Sequence, residues 1–196
     1  DLFGRYSVKG LELLKTYCTG IQDCTDANLH GADLRGMNLS RINLSRADLS
    51  SADLSSADLS GANLSQANLS NADLTSTILV GANLMDVNLI GSDLTGANLA
   101  AANLQQADMR CAQMEGCNFR GANLTDADLE GANLEGALLM DTTVSRADLR
   151  GADLSEAKLT GSSLTPDNFL NVPHVASHRW VTWAGDRGKT IQGQPV

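Results

Sequence analysis

A five-residue period, Ala-Asp/Asn-Leu-x-x, runs from Ala27 to Ser163 without an insertion or deletion. Its central positions start at Leu29 and end at Leu164. They number 28, and 24 are Leu; the others are Met109, Met114, Phe119 and Val144. Five matches neither the period of two of a strand nor the 3.6 of a helix. On a helix, residues five apart would march around the circumference. The apolar residues instead come in pairs two apart, such as Ala27 with Leu29 and Ala52 with Leu54. Residues two apart on an extended segment point the same way. Each pentad therefore reads as a short extended piece with two inward side chains, followed by a corner.

Glycine marks the corners. All 12 Gly between positions 29 and 164 lie two residues after a central residue, where a tight turn or positive φ favours glycine. The repeat contains no Pro, and Pro166 is the first in the chain. Ala fills 20 of the 28 positions that precede the central residue by two. Ala with Leu makes a thin core column with no room for a pocket.

These pentads resemble the pentapeptide repeat proteins of the A(D/N)LXX type. The resemblance covers Cys24 to about Leu164, roughly 70% of the chain. It implies an all-β solenoid, a right-handed quadrilateral parallel β-helix with four pentads per coil. Carried over, that gives about seven coils, on the order of 35 Å long at about 4.8 Å per stacked strand. The organisation follows. Residues 1–23 hold an N-terminal capping helix and lead-in, with Val8, Leu11, Leu14 and Cys18 on one face and Gly20 as a stop. Residues 24–164 form the β-helix. Residues 165–196 change composition abruptly and read as a C-terminal cap built on Phe169, Leu170, Trp180 and Trp183. The alternative for this segment is docking of a partner or dimerisation. Either way, an open solenoid end needs cover.

No stretch approaches the ~20 apolar residues of a membrane span. The chain begins at Asp1 without Met, which reads as a trimmed form. Cys24 and Cys117 fall on inward positions and Cys111 on an outward one, which argues against a Cys111–Cys117 bond. A Cys18–Cys24 bond is the alternative to free thiols. Free thiols in a reducing compartment are expected, which weakly favours the cytoplasm. Five Asn-x-Ser/Thr sequons, at Asn38, Asn43, Asn63, Asn68 and Asn123, are by-products of the repeat.

Catalysis needs a nucleophile, a base or a metal set in a concavity. The repeat offers Ser, Asp and Asn on convex faces only, and His30 stands alone. His174 and His178 lack a neighbouring Cys or carboxylate at metal-ligand spacing. The run Gly185–Thr190 ends like a phosphate loop, but Trp183 stands where its first Gly belongs. No catalytic residue, cofactor site or metal site is assigned.

Charge is the remaining signal. The chain carries a net charge of −9. Wrapped at four pentads per coil, it has four faces, whose pentads start at residues 27, 32, 37 and 42. The second face collects Asp33, Asp53, Asp73, Asp93, Glu115, Glu135, Asp153 and Glu156 against Arg35 alone. The third face is net +1, from Arg41, Arg120 and Lys158 against Asp58 and Asp141, and carries the outward apolar residues Ile78, Val80, Leu138 and Met140. The fourth face carries an amide ladder, Asn43, Asn63, Asn83, Asn103 and Asn123, able to hydrogen-bond along the stack. Repeat drift between Asp and Asn is one reading of the acidic face, and a surface for a basic partner is the other. The expected function is a non-catalytic scaffold for a protein partner of unknown identity, binding neither nucleic acid directly nor membrane. The alternative, from the family resemblance, is a DNA-mimicking binder of a type II topoisomerase such as DNA gyrase. Only Phe119 matches the Phe-rich central positions common in such members.

Overall fold

The computed structural model describes residues 22–165 and residue 168. The expected N-terminal helix and most of the expected C-terminal cap lie outside them. Parallel bridges join each Asp/Asn position to the one twenty residues on, from Asp23↔Asn43 to Leu138↔Lys158. Four pentads therefore make one coil, and the coils stack in unbroken register.

The pentad Ala47–Ser51 shows why the period is five. The Asp48 N–H donates back to the Ala27 carbonyl at 2.9 Å, and the Leu49 N–H donates forward to the Asn68 carbonyl at 2.7 Å. The Ser51 N–H donates forward to Ser70 at 2.9 Å. The Ala52 N–H closes a turn onto the Leu49 carbonyl at 3.0 Å. One amide, that of Ser50, remains. It donates to Asp48 Oδ1 at 3.0 Å, two residues back. A side-chain oxygen on a one-carbon stem reaches that amide. This is why the position is Asp or Asn. Every Asp and Asn at this register makes the bond, from Asp23 to Asp153. Each amide of such a pentad has a task, so Pro fits nowhere in it.

Every corner residue from Asp26 to Gly161 has φ between +55° and +74°. Positive φ at the third turn residue alone is the type II signature. Sixteen of these corners are not Gly, and none of the sixteen is Val, Ile or Thr. Glycine is therefore a preference at the corner and β-branching an exclusion, because a branched Cβ collides with its own backbone there.

The inward side chains form one continuous column. From Cys24 to Leu149 no central residue is more than 4% exposed. Thr77, Ser92 and Thr142 take Ala positions and are also buried. Their hydroxyls donate to the carbonyls of Leu54, Leu89 and Phe119 at 3.0, 2.6 and 2.8 Å. Cys117 does the same with its thiol, onto Leu94 at 2.8 Å. Burial pushes that thiol up to about 12.

The expectation of free thiols needs correction at one position. Cys111 and Cys117 are free, outward and inward as expected, but Cys24 is disulfide-bonded. Its partner lies outside the described residues. The compartment argument drawn from unpaired cysteines loses its basis.

Two substitution series test this account by chemical denaturation. A Cβ at Gly81 meets nothing within 4 Å, so Gly81→Ala reports the left-handed corner alone, at about 1–2 kcal/mol. Gly81→Asn should cost less and Gly81→Val clearly more. At Asn63, Asn63→Asp keeps the turn bond but gives up the Nδ2 donation to Asn43 and should cost about 1 kcal/mol, whereas Asn63→Ala also loses the turn bond and should cost about 1–3 kcal/mol more. Equal effects within either series would rule the account out.

Candidate functional site

The turn bond leaves Asp and Asn interchangeable for folding. What differs is what each does along the stack. On the fourth face the amides form the expected ladder: Asn63, Asn83, Asn103 and Asn123 each donate Nδ2 to the Asn one coil earlier, at 3.0–3.3 Å. On the second face, bridges join Asp33 to Asp53, Asp53 to Asp73 and Asp73 to Asp93. Carboxylates have no N–H to donate, so this ladder has no side-chain bond between rungs and carries like charges about 4.8 Å apart. In a water-like dielectric that repulsion is on the order of 1 kcal/mol per neighbouring pair before screening.

Arg35 offsets part of it. Its Nε lies 2.9 Å from Asp33 Oδ1 and 3.3 Å from Asp53 Oδ2, straddling two rungs. Asp73 and Asp93 have no cation partner among the described residues. Their Oδ1 atoms accept the Thr75 and Thr95 amides, both at 2.9 Å, which leaves Oδ2 for the surface. Glu115 and Glu135 stand exposed one coil apart on the same face, and Asp153 is exposed further along. The register thus gathers all the acidic residues expected there onto one face.

The third face has a different chemistry. Ile78 and Val80 are 41% and 37% exposed, while Leu138 and Met140 are half-buried. Ile78 and Leu138 cannot accept a turn bond, so the amides of Val80 and Met140 have no acceptor among the described residues. The cations there are also distinct. Arg35, Arg46, Arg110, Arg146 and Arg150 all pair with carboxylates. Arg41, Arg120 and Lys158 make no salt bridge among the described residues, and all three lie on the third face. Arg120 Nη2 instead approaches the Met140 sulfur at 3.6 Å. From the sequence these three were only a small net charge. Their isolation appears once the other arginines find partners in their own pentad or one coil away.

At the C-terminal end a cleft of about 450 Å³ is lined by Arg146, Asp148, Arg150, Ser163, Thr165 and Asn168, among others. Its polar groups are engaged. Arg146 pairs with Asp126, Arg150 with Asp148 and Glu130, and Ser163 Oγ accepts the Val144 amide at 2.8 Å. Asn168 Nδ2 donates to the Val144 and Ala147 carbonyls, both at 3.2 Å. At Ala147 it replaces the backbone donor that a further coil would have supplied, while the Val144 carbonyl also takes its own turn amide from Ala147, a role not legible in the repeat pattern. His30 Nδ1 lies 2.8 Å from Ser50 Oγ, which donates to Asp48 at 2.6 Å. Among the described residues no His, Cys, Asp and Glu gather into a metal-binding group, and no helix is long and apolar enough to cross a membrane.

Hydrogen bonds hold several carboxylates below their ordinary value of 3.8: Asp26, Asp108, Asp126 and Asp148 chiefly through Arg46, Arg110, Arg146 and Arg150, and Asp23 and Asp48 through Thr25 and Ser50. A depressed folded value adds stability that is complete above the unfolded value and is lost as pH falls through the folded one. Thermal stability should therefore hold between about pH 7 and 5 and decline below about pH 4. Arg110→Gln should shallow that decline, because Asp108 then titrates closer to its unfolded value. An unchanged acid limb in the variant would refute the assignment.

Comparison with known proteins agrees with the geometry. The family profile for pentapeptide repeats matches in eight copies, over residues 23–61, 52–89, 67–101, 82–121, 97–136 and 127–165. No curated protein matches. Among solved structures, a pentapeptide repeat protein from the cyanobacterium Cyanothece 51142 is 31% identical, over 69% of this chain and 84% of that one, with a TM-score of 0.27. HetL, involved in heterocyst differentiation regulation in the cyanobacterium Nostoc, is 26% identical over 78% and 92%, with a TM-score of 0.32. QnrB1, a plasmid-mediated fluoroquinolone resistance protein, is 20% identical over 74% and 85%, with a TM-score of 0.43. With a profile match across the whole stacked repeat, the chain belongs to the pentapeptide repeat family, whose fold is the right-handed β-helix.

Proposed function

We propose that this protein is a non-catalytic scaffold that presents its acidic face to a basic protein partner. In this reading the rod has about seven coils, with the N-terminal helix and the C-terminal segment as caps. One observation carries the proposal. Asp stands at four successive rungs, Asp33, Asp53, Asp73 and Asp93, where Asn would serve the turn equally and add a ladder bond. Like charge at that spacing opposes the stack, so the choice is favoured by something outside the fold. Complementary charge on a partner supplies it and speeds encounter.

The same run of carboxylates favours a second reading. A rigid acidic rod can imitate the charge of duplex DNA and so inhibit or protect a type II topoisomerase such as DNA gyrase.

The fourfold variant Asp33→Asn, Asp53→Asn, Asp73→Asn, Asp93→Asn tests both. It keeps every turn oxygen, so its melting temperature should equal or exceed the parent's. Affinity capture from a lysate of the source organism should recover a basic partner with the parent and lose it with the variant. A partner retained by the variant would overturn the acidic-face reading. In a gyrase supercoiling assay, an effect of the parent that the variant lacks would establish the topoisomerase reading.

A further inference from the structure

We infer that the third face is a second, separate docking surface, and that its occupant is an acidic amphipathic helix of a partner protein. Three features of the face converge. Its exposed apolar side chains are Ile78 and Val80, the two large hydrophobic residues most exposed among those described. Its cations Arg41, Arg120 and Lys158 outnumber its carboxylates Asp58 and Asp141 and make no salt bridge among the described residues, where the other arginines all do. Its backbone offers the amides of Val80 and Met140, left open because Ile78 and Leu138 cannot cap them. Apolar side chains beside unpaired cations and open N–H donors call for a partner that brings leucine-like side chains together with carboxylates.

The backbone limits the form of that partner. Along this face the bridge residues are bonded to the coils above and below, so an added strand has no edge to join. A helix laid on the face is the mode in which apolar side chains and carboxylates recur along one side of the partner. Arg41, two coils from Val80, packs its stem against the intervening Gly61, 3.6 Å from where a Cβ would stand, and the Gly61 N–H donates to the Val80 carbonyl at 2.9 Å. Arg120 touches Met140 at the other anchor. Ile78 and Leu138 lie three coils apart through Asn98 and Asn118, roughly 14 Å, which a helix covers in about ten residues.

Fluorescence anisotropy with the full chain tests this, using a labelled amphipathic peptide of Leu and Glu about 18 residues long. Its Lys-for-Glu counterpart and a scrambled Leu/Glu peptide serve as controls. The Leu/Glu helix should bind saturably and alone. Ile78→Asn should weaken it at least about tenfold, because the new amide oxygen covers the Val80 N–H and removes the apolar anchor. That variant regains the turn bond, so its melting temperature should rise and misfolding cannot explain the loss. Arg120→Gln with Lys158→Gln should weaken binding to a similar degree. Asp73→Asn with Asp93→Asn should leave it unchanged, which separates this surface from the acidic face. Absence of binding, equal binding of either control, or an Ile78→Asn variant that binds like the parent would overturn the proposal. So would a dimer in sedimentation equilibrium that Ile78→Asn dissolves, since the occupant would then be a second copy of this chain.

Discussion

The fold depends on one hydrogen bond repeated at nearly every corner: the amide after the central leucine, held by the carboxylate or amide oxygen two residues before it. The other four amides of a pentad are consumed by the stack and the turn. This one points where no backbone carbonyl can reach, and a short side-chain oxygen meets it. With that donor satisfied the chain can turn sharply after three extended residues, and four such turns close a coil. The positive φ at each corner is the conformational cost of this sharpness. The buried leucine column offsets it with about 1.5–3 kcal/mol per fully buried side chain.

The same bond separates folding from surface chemistry. Because Asp and Asn meet the corner amide alike, the choice between them is free to carry charge. Stacking then magnifies each choice, since every residue meets its counterpart one coil away. Asn above Asn adds a bond, as at Asn63 and Asn83, while Asp above Asp adds repulsion. Arg35 between Asp33 and Asp53 shows how one cation can serve two rungs. The matched pairs Arg46–Asp26 and Arg146–Asp126 show the same logic at the fourth-face corner, twenty residues apart in both cases.

Adjacent faces of one rod thus differ sharply in chemistry. The second face is polar and acidic, and the third carries the exposed apolar residues and the unmatched cations. A β-helix suits such a division. Its faces are flat and mutually fixed, and a substitution at an outward position alters one face and leaves its neighbours intact.

Much of this was legible in the residues alone. The period of 28 central positions, the glycine corners and the outward Asp and Asn required stacked coils with a thin Leu and Ala core, because a regular repeat places chemically alike residues in alike environments. The amide ladder and the acidic face followed once the coil length was known. What only the tertiary structure decided were the relations between coils. The sequence counted Arg41, Arg120 and Lys158 as a small net charge, and their isolation became visible only when the other arginines had found carboxylates nearby. It treated Ile78 and Leu138 as breaks in a pattern, and the structure showed that each leaves an amide uncapped. It weighed Cys24 as a thiol at an inward position, and the structure made it half of a disulfide. Periodicity reports what every pentad shares, whereas pairing depends on what stands one coil away, and that distance exists only after the chain has wound.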